Sequence, residues 1–393
     1  MMLIGIVGKP NVGKSTFFQA LTSIPVERAS RPFTTIKPNR GAGYVEIECV
    51  DKEFNVQCNP RHGFCVNGRR FAPVELLDVA GLVPGAHEGK GLGNKFLDDL
   101  RQADALIHVI DLSGSTNENG ENVEKGSYDP ANDIKFLEDE ITFWIKGILE
   151  NNWQKLTREK KKNDEALYNQ LTGLGITKNS IHKTLLQTNL IEKEIQNWSD
   201  EDRMLFSRRI REESKPIVIA ANKCDVSTSE ENYKKLKERF PNLLIIPTSA
   251  EAEITLKEAA KKKLINYIPG DVDFKENDGL NEQQKKALEI IRKIMKKWGG
   301  NGVQKCLNKT VFDVLNYVAV FPAGVNKLSD KDGNILPDVF LMKPGSTALD
   351  FAATIHSTMA EKFIKAVDVR TKKALGSDYI LKNRDCIEIF FKH

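Results

Sequence analysis

The sequence predicts an α/β protein built on a doubly wound sheet, with a helical insertion and a small C-terminal α+β unit. Short apolar runs such as Leu3 to Val7 recur, and several end directly at a polar or glycine-containing loop, as buried parallel strands do. From residue 133 to 211 the apolar spacing changes to steps of three and four, which indicates amphipathic helices. Beyond residue 318, strand-like runs surround one helical run.

These changes of pattern divide the chain into four parts. We expect the doubly wound domain to be discontinuous, formed by residues 1–132 and 212–275. Residues 133–211 form the helical insertion and residues 276–317 a helical connector. Residues 318–393 form the C-terminal domain.

Composition favours a soluble cytoplasmic protein. The chain has 393 residues, of which 40% are hydrophobic, so each domain can bury a core. No run of 18 apolar residues occurs, and the sequence starts on a strand rather than on a leader, so no membrane contact is expected. The net charge of +4, from 58 basic and 54 acidic residues, is too small to predict DNA binding.

A phosphate-binding loop is predicted between the first strand and the first helix. The segment from Gly8 to Ser15 has the spacing G-x-x-x-x-G-K-S, which places backbone N–H groups and a helix N-terminus around an anion. Lys14 supplies a charge to the β and γ phosphates, and Ser15 a hydroxyl ligand for Mg²⁺. A plain glycine turn ending in Lys-Ser is the alternative, but the flanking strand and helix favour the phosphate loop. The predicted contact residues are Gly8, Lys9, Pro10, Asn11, Val12, Gly13, Lys14, Ser15 and Thr16.

A second motif, Asp78-Val-Ala-Gly81, follows another apolar strand. An aspartate at the carboxyl end of a strand beside a phosphate loop can hold a water ligand of Mg²⁺. The N–H of Gly81 can then contact the γ-phosphate. We therefore predict Asp78 in the metal site, and Gly81 with Lys14 among the catalytic groups.

Two further strand ends predict a guanine site. One carries Asn222-Lys-Cys-Asp225 and the other Thr248-Ser-Ala250. A carboxylate accepts hydrogen bonds from the N1–H and the 2-amino group of guanine, and adenine has no such pair of donors. Asp225 is therefore the predicted base reader. Asn222 and Lys223 brace this loop, while Ser249 and Ala250 offer backbone to the guanine oxygen.

The cysteines allow two interpretations. Cys49, Cys58 and Cys65, with His62, could supply three thiolates and an imidazole to zinc in a small hairpin whose turn is predicted near residue 67. The alternative is that these cysteines are free thiols in a turn-rich insertion and bind no metal. The lack of a C-x-x-C pair favours free thiols, and no secretion signal supports disulfides.

A basic helix is predicted from residue 281 to 298. It contains six Lys or Arg residues and two glutamates, a local charge of +4. This surface is a candidate contact for RNA, although no aromatic RNA-stacking motif accompanies it.

With these motifs in place, the chain resembles the Obg-related translation-factor GTPases, and most closely the archaeal and fungal relatives of YchF that end in a TGS domain. The resemblance rests on the phosphate loop, Pro32-Phe-Thr-Thr-Ile-Lys-Pro-Asn39, Asp78 to Ala86, Gly91 to Phe96, and Asn222 to Asp225. It covers nearly the whole chain. It implies a P-loop NTPase fold and a C-terminal β-grasp domain over residues 318–393.

The resemblance also implies roles for three further residues, Thr35, Leu82 and Asn11. The Mg²⁺ threonine of the family aligns with Thr35, with Thr34 as the alternative. Where Ras-like proteins have a water-orienting glutamine, this chain has Leu82, which cannot orient water. Asn11 could be a ligand for K⁺, as in some GTPases with the same string, or could hydrogen-bond within the loop.

The predicted function is slow hydrolysis of GTP to GDP and phosphate by a nucleotide-dependent switch that acts on ribosomes or RNA. The alternative is a nucleotide-stabilised ribosome-binding or RNA-binding scaffold in which hydrolysis is incidental. YchF accepts ATP and its base-reading motif departs from N-K-x-D, but Asp225 is intact here. ATPase activity is therefore disfavoured.

Overall fold

The computed structural model describes residues 2–23, 39–79, 99–158 and 162–392. The predicted doubly wound domain is confirmed as a seven-stranded sheet in the order β2-β4-β1-β5-β6-β7, with β3 paired to β4 outside this path. The inner strands β4, β1, β5, β6 and β7 are parallel, and β2 and β3 are antiparallel to β4. The strands are β1 (Leu3–Val7), β2 (Arg40–Glu48), β3 (Phe64–Val66), β4 (Arg69–Asp78), β5 (Ala105–Asp111), β6 (Ile217–Asn222) and β7 (Ile245–Pro247).

Helices cover the sheet and form the insertion. Near the phosphate loop, α1 (Lys14–Thr22) follows β1. The insertion contains α2 (Ala131–Asn151), α3 (Trp153–Arg158), α4 (Asn163–Leu171), α5 (Lys178–Gln187) and α6 (Asp200–Ser214). Ser199 caps α6 in a reciprocal capping box with Asp202, which the sequence spacing predicts. The apolar faces of the insertion share one core with Leu3 and Leu106 of the sheet, so α2 is fixed to the doubly wound domain.

The chain returns to the sheet and then passes to the connector. This part contains α7 (Ser229–Arg239), α8 (Ala250–Lys261), the short pair β8 (Ile265–Asn266) and β9 (Lys275–Glu276), α9 (Glu282–Trp298) and α10 (Val303–Lys309). A π-helical turn, Thr310–Val314, extends α10. None of the helices in the described ranges combines the length and apolar composition needed to cross a bilayer.

The C-terminal domain is a five-stranded sheet in the order β11-β10-β14-β12-β13, with β10 and β14 parallel. Its elements are β10 (Val318–Pro322), β11 (Phe340–Met342), α11 (Ala348–Ile355), α12 (Ser357–Glu361), β12 (Phe363–Asp368), β13 (Ala374–Leu375) and β14 (Asp385–Phe391). The sequence pattern predicts one helix from 348 to 367, and this is wrong. His356 is extended, and the residues from Phe363 pair with β14, so a strand pairing outweighs the helical spacing.

The hairpin between β3 and β4 holds the C-terminal domain. Its predicted turn is confirmed, with φ of 54° at Asn67 and 79° at Gly68. The fully buried Arg70 of β4 donates from its two terminal nitrogens to the carbonyl oxygens of Leu336 at 3.1 Å and Pro337 at 2.7 Å. The two domains are therefore joined by a buried charge-assisted contact.

The contact of Arg70 should contribute more to stability than the neighbouring surface ion pairs. Replacing Arg70 by Met leaves two buried carbonyl groups without their donors, which costs about 1 to 3 kcal/mol. We expect the urea unfolding transition of Arg70→Met to shift accordingly.

The matched control is Arg61→Ala. Arg61 pairs with Asp330 and Asp338, both at 2.8 Å, but 48% of its side chain is exposed. Solvent screening limits the loss to below about 1 kcal/mol. An equal loss in the free energy of unfolding for the two substitutions would show that the buried contact of Arg70 stabilises the protein no more than the exposed ion pairs do.

Candidate nucleotide-binding site

The predicted motifs lie together at one edge of the large sheet. The strands β1, β4, β6 and β7 are parallel, so the loops that follow them meet at the carboxyl edge. These loops carry residues 8–13, Asp78, residues 222–225 and residues 248–250. Thr34, Thr35, Gly81 and Leu82 lie outside the described residues.

Two glycines allow the phosphate loop to pass close to its neighbours. A Cβ atom on Gly8 would lie 2.5 Å from the carbonyl oxygen of Val109 in β5. Gly13 has a φ of 89°, and its Cβ would lie 2.4 Å from Nδ2 of Asn222. Since real Cβ atoms do not approach other atoms so closely, the loop needs glycine at both positions.

The side-chain amide of Asn222 joins three loops. Its Nδ2 donates to the carbonyl oxygen of Val12 at 3.0 Å, within the phosphate loop. Its Oδ1 accepts from the backbone N–H of Ala250 at 3.1 Å and from the Thr248 hydroxyl at 3.4 Å. Only 4% of Asn222 is exposed, so these bonds form away from water.

Lys223 braces the same region from the other side. Its ammonium contacts Oδ2 of Asp111 at 2.9 Å, at the carboxyl end of β5. Asp111 is buried and also accepts hydrogen bonds from the hydroxyls of Ser113, Ser115 and Thr116. Burial opposes ionisation, but the hydrogen bonds of Ser113 and the Lys223 charge outweigh it and lower the pKa of Asp111.

Asp225 is exposed at the mouth of the site and is held by its neighbours. Its Oδ1 accepts from the Ser249 hydroxyl at 3.1 Å. The preceding residue, Cys224, accepts at its carbonyl oxygen from Nε1 of Trp298, the last residue of α9, at 3.1 Å. The connector helix therefore supports the loop that carries Asp225.

The backbone donors of Ser249 and Ala250 have partners inside the protein. The N–H of Ser249 donates to the carbonyl oxygen of Asn301 at 2.9 Å, and that of Ala250 donates to Asn222. Either donor would have to be shared to reach a guanine oxygen as well. Their contact with the base stays a prediction.

Opposite charges face each other where phosphate and metal are expected. The ammonium of Lys14 forms an ion pair with Oδ1 of Asp78. Ser15 is exposed in the first turn of α1, the end of the helix that favours anions. A hydroxyl and a carboxylate are oxygen donors of the kind that Mg²⁺ takes, so these residues fit the predicted metal.

Lys9 is in the predicted loop, but its side chain extends toward the insertion. Only 5% of the residue is exposed. Its ammonium donates to Oδ1 of Asp133 at 2.8 Å and to the carbonyl oxygen of Thr116 at 2.9 Å, and lies 3.9 Å from the ring centroid of Tyr128. Only the backbone of Lys9 can therefore contact phosphate, and its charge joins the loop to α2.

Asn11 also contacts the segment after β5. It adopts a left-handed conformation, with φ of 63°, and its Nδ2 donates to the carbonyl oxygen of Gly120 at 2.9 Å. Gly120 lies outside the phosphate loop, so the hydrogen bond is not the internal one that the sequence suggests. The bond uses the amide nitrogen, and the oxygen that K⁺ would need is not engaged by it.

Sequence reasoning missed Asp111 and Asp133, the two acidic partners of the lysines in these motifs. Asp111 is the last residue of β5, at the same edge as the other motifs, so its place at a strand end was an available signal. Asp133 is in the first turn of α2 and gives no such signal. Burial raises its pKa, while the charge of Lys9 opposes that change.

Comparison with known proteins agrees with this architecture. Three family models match: one described as "50S ribosome-binding GTPase" over residues 3–140, one as "Obg-like GTPase YGR210-like, G4 motif-containing domain" over 220–324, and one as "TGS domain" over 329–391. Fold and motifs thus define a P-loop GTPase.

Similar proteins extend the match over the whole chain. The uncharacterized GTP-binding protein MJ1332 of Methanocaldococcus jannaschii is 49% identical over 99% of each chain. A crystal structure of a GTP binding protein from Pyrococcus horikoshii superposes with a TM-score of 0.79 at 37% identity and covers both chains fully. The ribosome-binding ATPase YchF of Bacillus subtilis is 26% identical over 98% of each chain.

The chain therefore belongs to the Obg-like GTPases of the YGR210 and MJ1332 type with a TGS domain, which are related to YchF. It is a GTP-binding protein of this family. The resemblance inferred from the motifs is confirmed.

The bridging amide of Asn222 gives a prediction for this site. Asn222→Ala removes the bonds to Val12 and Ala250, so the loops lose their fixed spacing, and we expect GDP affinity to fall about tenfold or more. Titration with fluorescent GDP measures the change.

Asn232→Ala serves as the control, because its Nδ2 also donates to a backbone carbonyl, that of Leu112, at 2.9 Å, but from α7. It should bind GDP as the unmodified protein does. Unchanged affinity in Asn222→Ala would contradict the bridging role.

Proposed function

We propose that the chain is a slow GTPase that acts as a nucleotide-dependent switch on ribosomes or their RNA. The observation that carries the proposal is the Asn222 amide, which joins the phosphate loop to the loops of the guanine motifs at one sheet edge. These bonds fix the distance between the loop predicted to bind the phosphates and the loops predicted to bind the base of a guanine nucleotide.

Base recognition is assigned to Asp225. Asp225 is exposed, and its carboxylate accepts a hydrogen bond from the Ser249 hydroxyl at 3.1 Å. Guanine offers two adjacent N–H donors to such a carboxylate, and adenine offers none in that position. GTP and GDP should therefore be preferred to ATP and ADP.

Phosphate and metal binding are assigned to the oppositely charged side of the site. Lys14 would place its charge at the β and γ phosphates, in exchange for its contact with Asp78. Ser15 and Asp78 would hold Mg²⁺, and the sequence adds Thr35 to this set. Mg²⁺ supplies positive charge to the phosphates during hydrolysis.

Hydrolysis should be slow because Leu82 cannot hydrogen-bond to the attacking water. The transition state of hydrolysis must then be stabilised by positive charge between the β and γ phosphates or by a group that a partner supplies. A K⁺ ion held by the oxygen of Asn11 and a group delivered by the ribosome are the two proposed sources.

The ribosomal partner is supported by relatives rather than by the basic helix. A relative is named a ribosome-binding ATPase, and the matching G-domain model is described as ribosome-binding. On α9, four of the six cations pair with carboxylates: Lys285, Arg292, Lys293 and Lys297. Lys286 and Lys296 are left without an acidic partner among the described residues, so the predicted basic surface is largely neutralised.

Asp225→Asn tests the base assignment. The amide replaces one acceptor oxygen by a donor, so GDP affinity should fall about tenfold or more. Xanthine has a carbonyl oxygen where guanine has its 2-amino group, so the same substitution should raise the affinity for xanthosine diphosphate. Competition titrations with GDP, ADP and xanthosine diphosphate measure all three.

The control for this exchange is Asp332→Asn, on an exposed turn of the C-terminal domain. It should leave the order of affinities unchanged. Equal binding of GDP and ADP by the unmodified protein would remove the basis for the guanine assignment.

Co-sedimentation with ribosomal particles tests the switch. We expect more binding with a non-hydrolysable GTP analogue than with GDP, and single-turnover hydrolysis accelerated about tenfold or more by the particles, equivalent to roughly 1.4 kcal/mol of barrier. Lys14→Ala should lose the nucleotide dependence. Binding that is equal in both nucleotides, with no acceleration, would instead identify a scaffold.

A further inference from the structure

Three cysteines and one aspartate meet beside the hairpin of β3 and β4. Cys49 follows β2, Asp51 lies in the turn after it, Cys58 is in the loop and Cys65 is in β3. One ligand atom from each of these four residues can be chosen so that all four lie within 4.8 Å of one another. This group is called the thiol cluster below.

Two distances within the thiol cluster are close to the edges of a tetrahedral coordination shell. Cys49 Sγ and Cys58 Sγ are 3.7 Å apart, and Cys65 Sγ is 3.9 Å from Oδ2 of Asp51. Zinc with bonds of about 2.3 Å to sulfur and about 2.0 Å to oxygen forms a tetrahedron with sulfur–sulfur edges of about 3.8 Å and sulfur–oxygen edges of about 3.5 Å. A disulfide would need about 2.05 Å.

The aspartate supplies a second and independent observation. Asp51 is 0% exposed, and its Oδ1 has no hydrogen-bond partner. Its Oδ2 accepts from the backbone N–H of Cys58 at 3.3 Å. A buried carboxylate with an unpaired oxygen is costly unless a cation compensates it. The buried guanidinium of Arg70 lies beside Cys58, but its terminal nitrogens donate to backbone carbonyls, and none of the hydrogen bonds of the described residues joins it to Asp51.

Folding corrects the ligand set that the sequence suggests. His62 is exposed and is not part of the thiol cluster. The sequence gives no signal for Asp51, because its burial depends on the tight turn Val50–Lys52. The cluster thus has four donors without a histidine.

We propose that Cys49, Cys58 and Cys65, as thiolates, and Asp51, through one carboxylate oxygen, bind a structural Zn²⁺ ion. Four protein ligands leave no open position for a substrate, so the site is structural and not catalytic. Each thiol gives its proton to solvent on binding, so no redox partner is needed.

The site lies at the opposite edge of the sheet from the nucleotide loops. Glu48 at the end of β2 pairs with Arg69 at the start of β4, whereas Asp78 is at the other end of β4. Beside the cluster, the backbone N–H groups of Asn59 and Arg61 donate to the carbonyl oxygens of Ile335 and Pro337 at 2.8 and 2.9 Å. Zinc would therefore order the loop that docks the C-terminal domain.

The test uses the full chain, reduced and stripped of metal with a chelator. Zn²⁺ is titrated against a chromophoric chelator, and Co²⁺ is added separately as a spectroscopic probe. We expect one equivalent of metal per chain, and with Co²⁺ the sulfur-to-metal charge-transfer band and the visible bands of a tetrahedral site.

The variants are Cys58→Ala and Asp51→Asn, with Cys306→Ala as the matched control. Cys306 is a fully buried cysteine of α10 outside the thiol cluster. The two cluster variants should lose the stoichiometric Zn²⁺ binding, and Cys58→Ala should also lose Co²⁺ charge-transfer intensity. The control should retain one equivalent.

A third measurement uses only the unmodified protein, so it tests the zinc site even if the variants fold poorly. In the unmodified protein, zinc should slow amide hydrogen exchange in residues 50–66 and at Ile335 and Leu336. GDP affinity should not change with zinc, since the nucleotide loops are at the other edge, so failure of the zinc site is distinguishable from failure of the proposed function. An increase of GDP affinity with zinc would contradict the separation of the two sites.

Three results would overturn the proposal. They are the absence of a tetrahedral Co²⁺ spectrum in the reduced chain, Zn²⁺ binding unaffected by Cys58→Ala, and a Cys49–Cys58 disulfide in protein alkylated at lysis and analysed by mass spectrometry.

Discussion

A single planar amide fixes the distance between the two halves of the nucleotide site. Asn222 donates on one side to the phosphate loop and accepts on the other from the loop after β7. The approach is possible because Gly13 has no side chain, and a Cβ there would collide with the amide. The glycine and the asparagine are far apart in sequence, yet the position of the asparagine amide requires a residue without a side chain at position 13.

Two lysines of these motifs have acidic partners in β5 and in α2. Lys9 pairs with Asp133, and Lys223 pairs with Asp111. Both aspartates are buried, so each pair replaces water by a defined partner. The phosphate loop is thus attached to α2, and the loop that carries residues 222–225 is attached to the end of β5. The Lys9–Asp133 pair therefore links the position of α2 directly to the phosphate loop.

Much of the fold could be predicted from the sequence because local patterns and spacing determine it. The buried strands, the capping box at Ser199 and the turn at Asn67-Gly68 all depend on residues that are neighbours in the chain. The motifs converge because parallel strands end at one edge, a rule that also needs no coordinates. The convergence of the predicted motifs at one edge could therefore be predicted from the sequence.

The remaining features depend on contacts between distant residues. Helical spacing continues through Phe363, but pairing with β14 makes this segment a strand. The direction of the Lys9 side chain depends on Asp133, which is 124 residues away. Asp51 rather than His62 completes the thiol cluster because a turn buries one and leaves the other in solvent. None of these outcomes is encoded in a short motif.

The docking of the C-terminal domain depends in large part on backbone atoms. The carbonyl oxygens of three successive residues, Ile335, Leu336 and Pro337, accept from the N–H groups of Asn59 and Arg61 and from the guanidinium of Arg70. Main-chain groups are the same for nearly every residue type, so these backbone hydrogen bonds can persist when the side chains that flank them change. Insertion or deletion of one residue would instead offset every donor from its acceptor. Relatives should therefore vary in residue type in the segments 59–61 and 335–337 but keep the same number of residues in each.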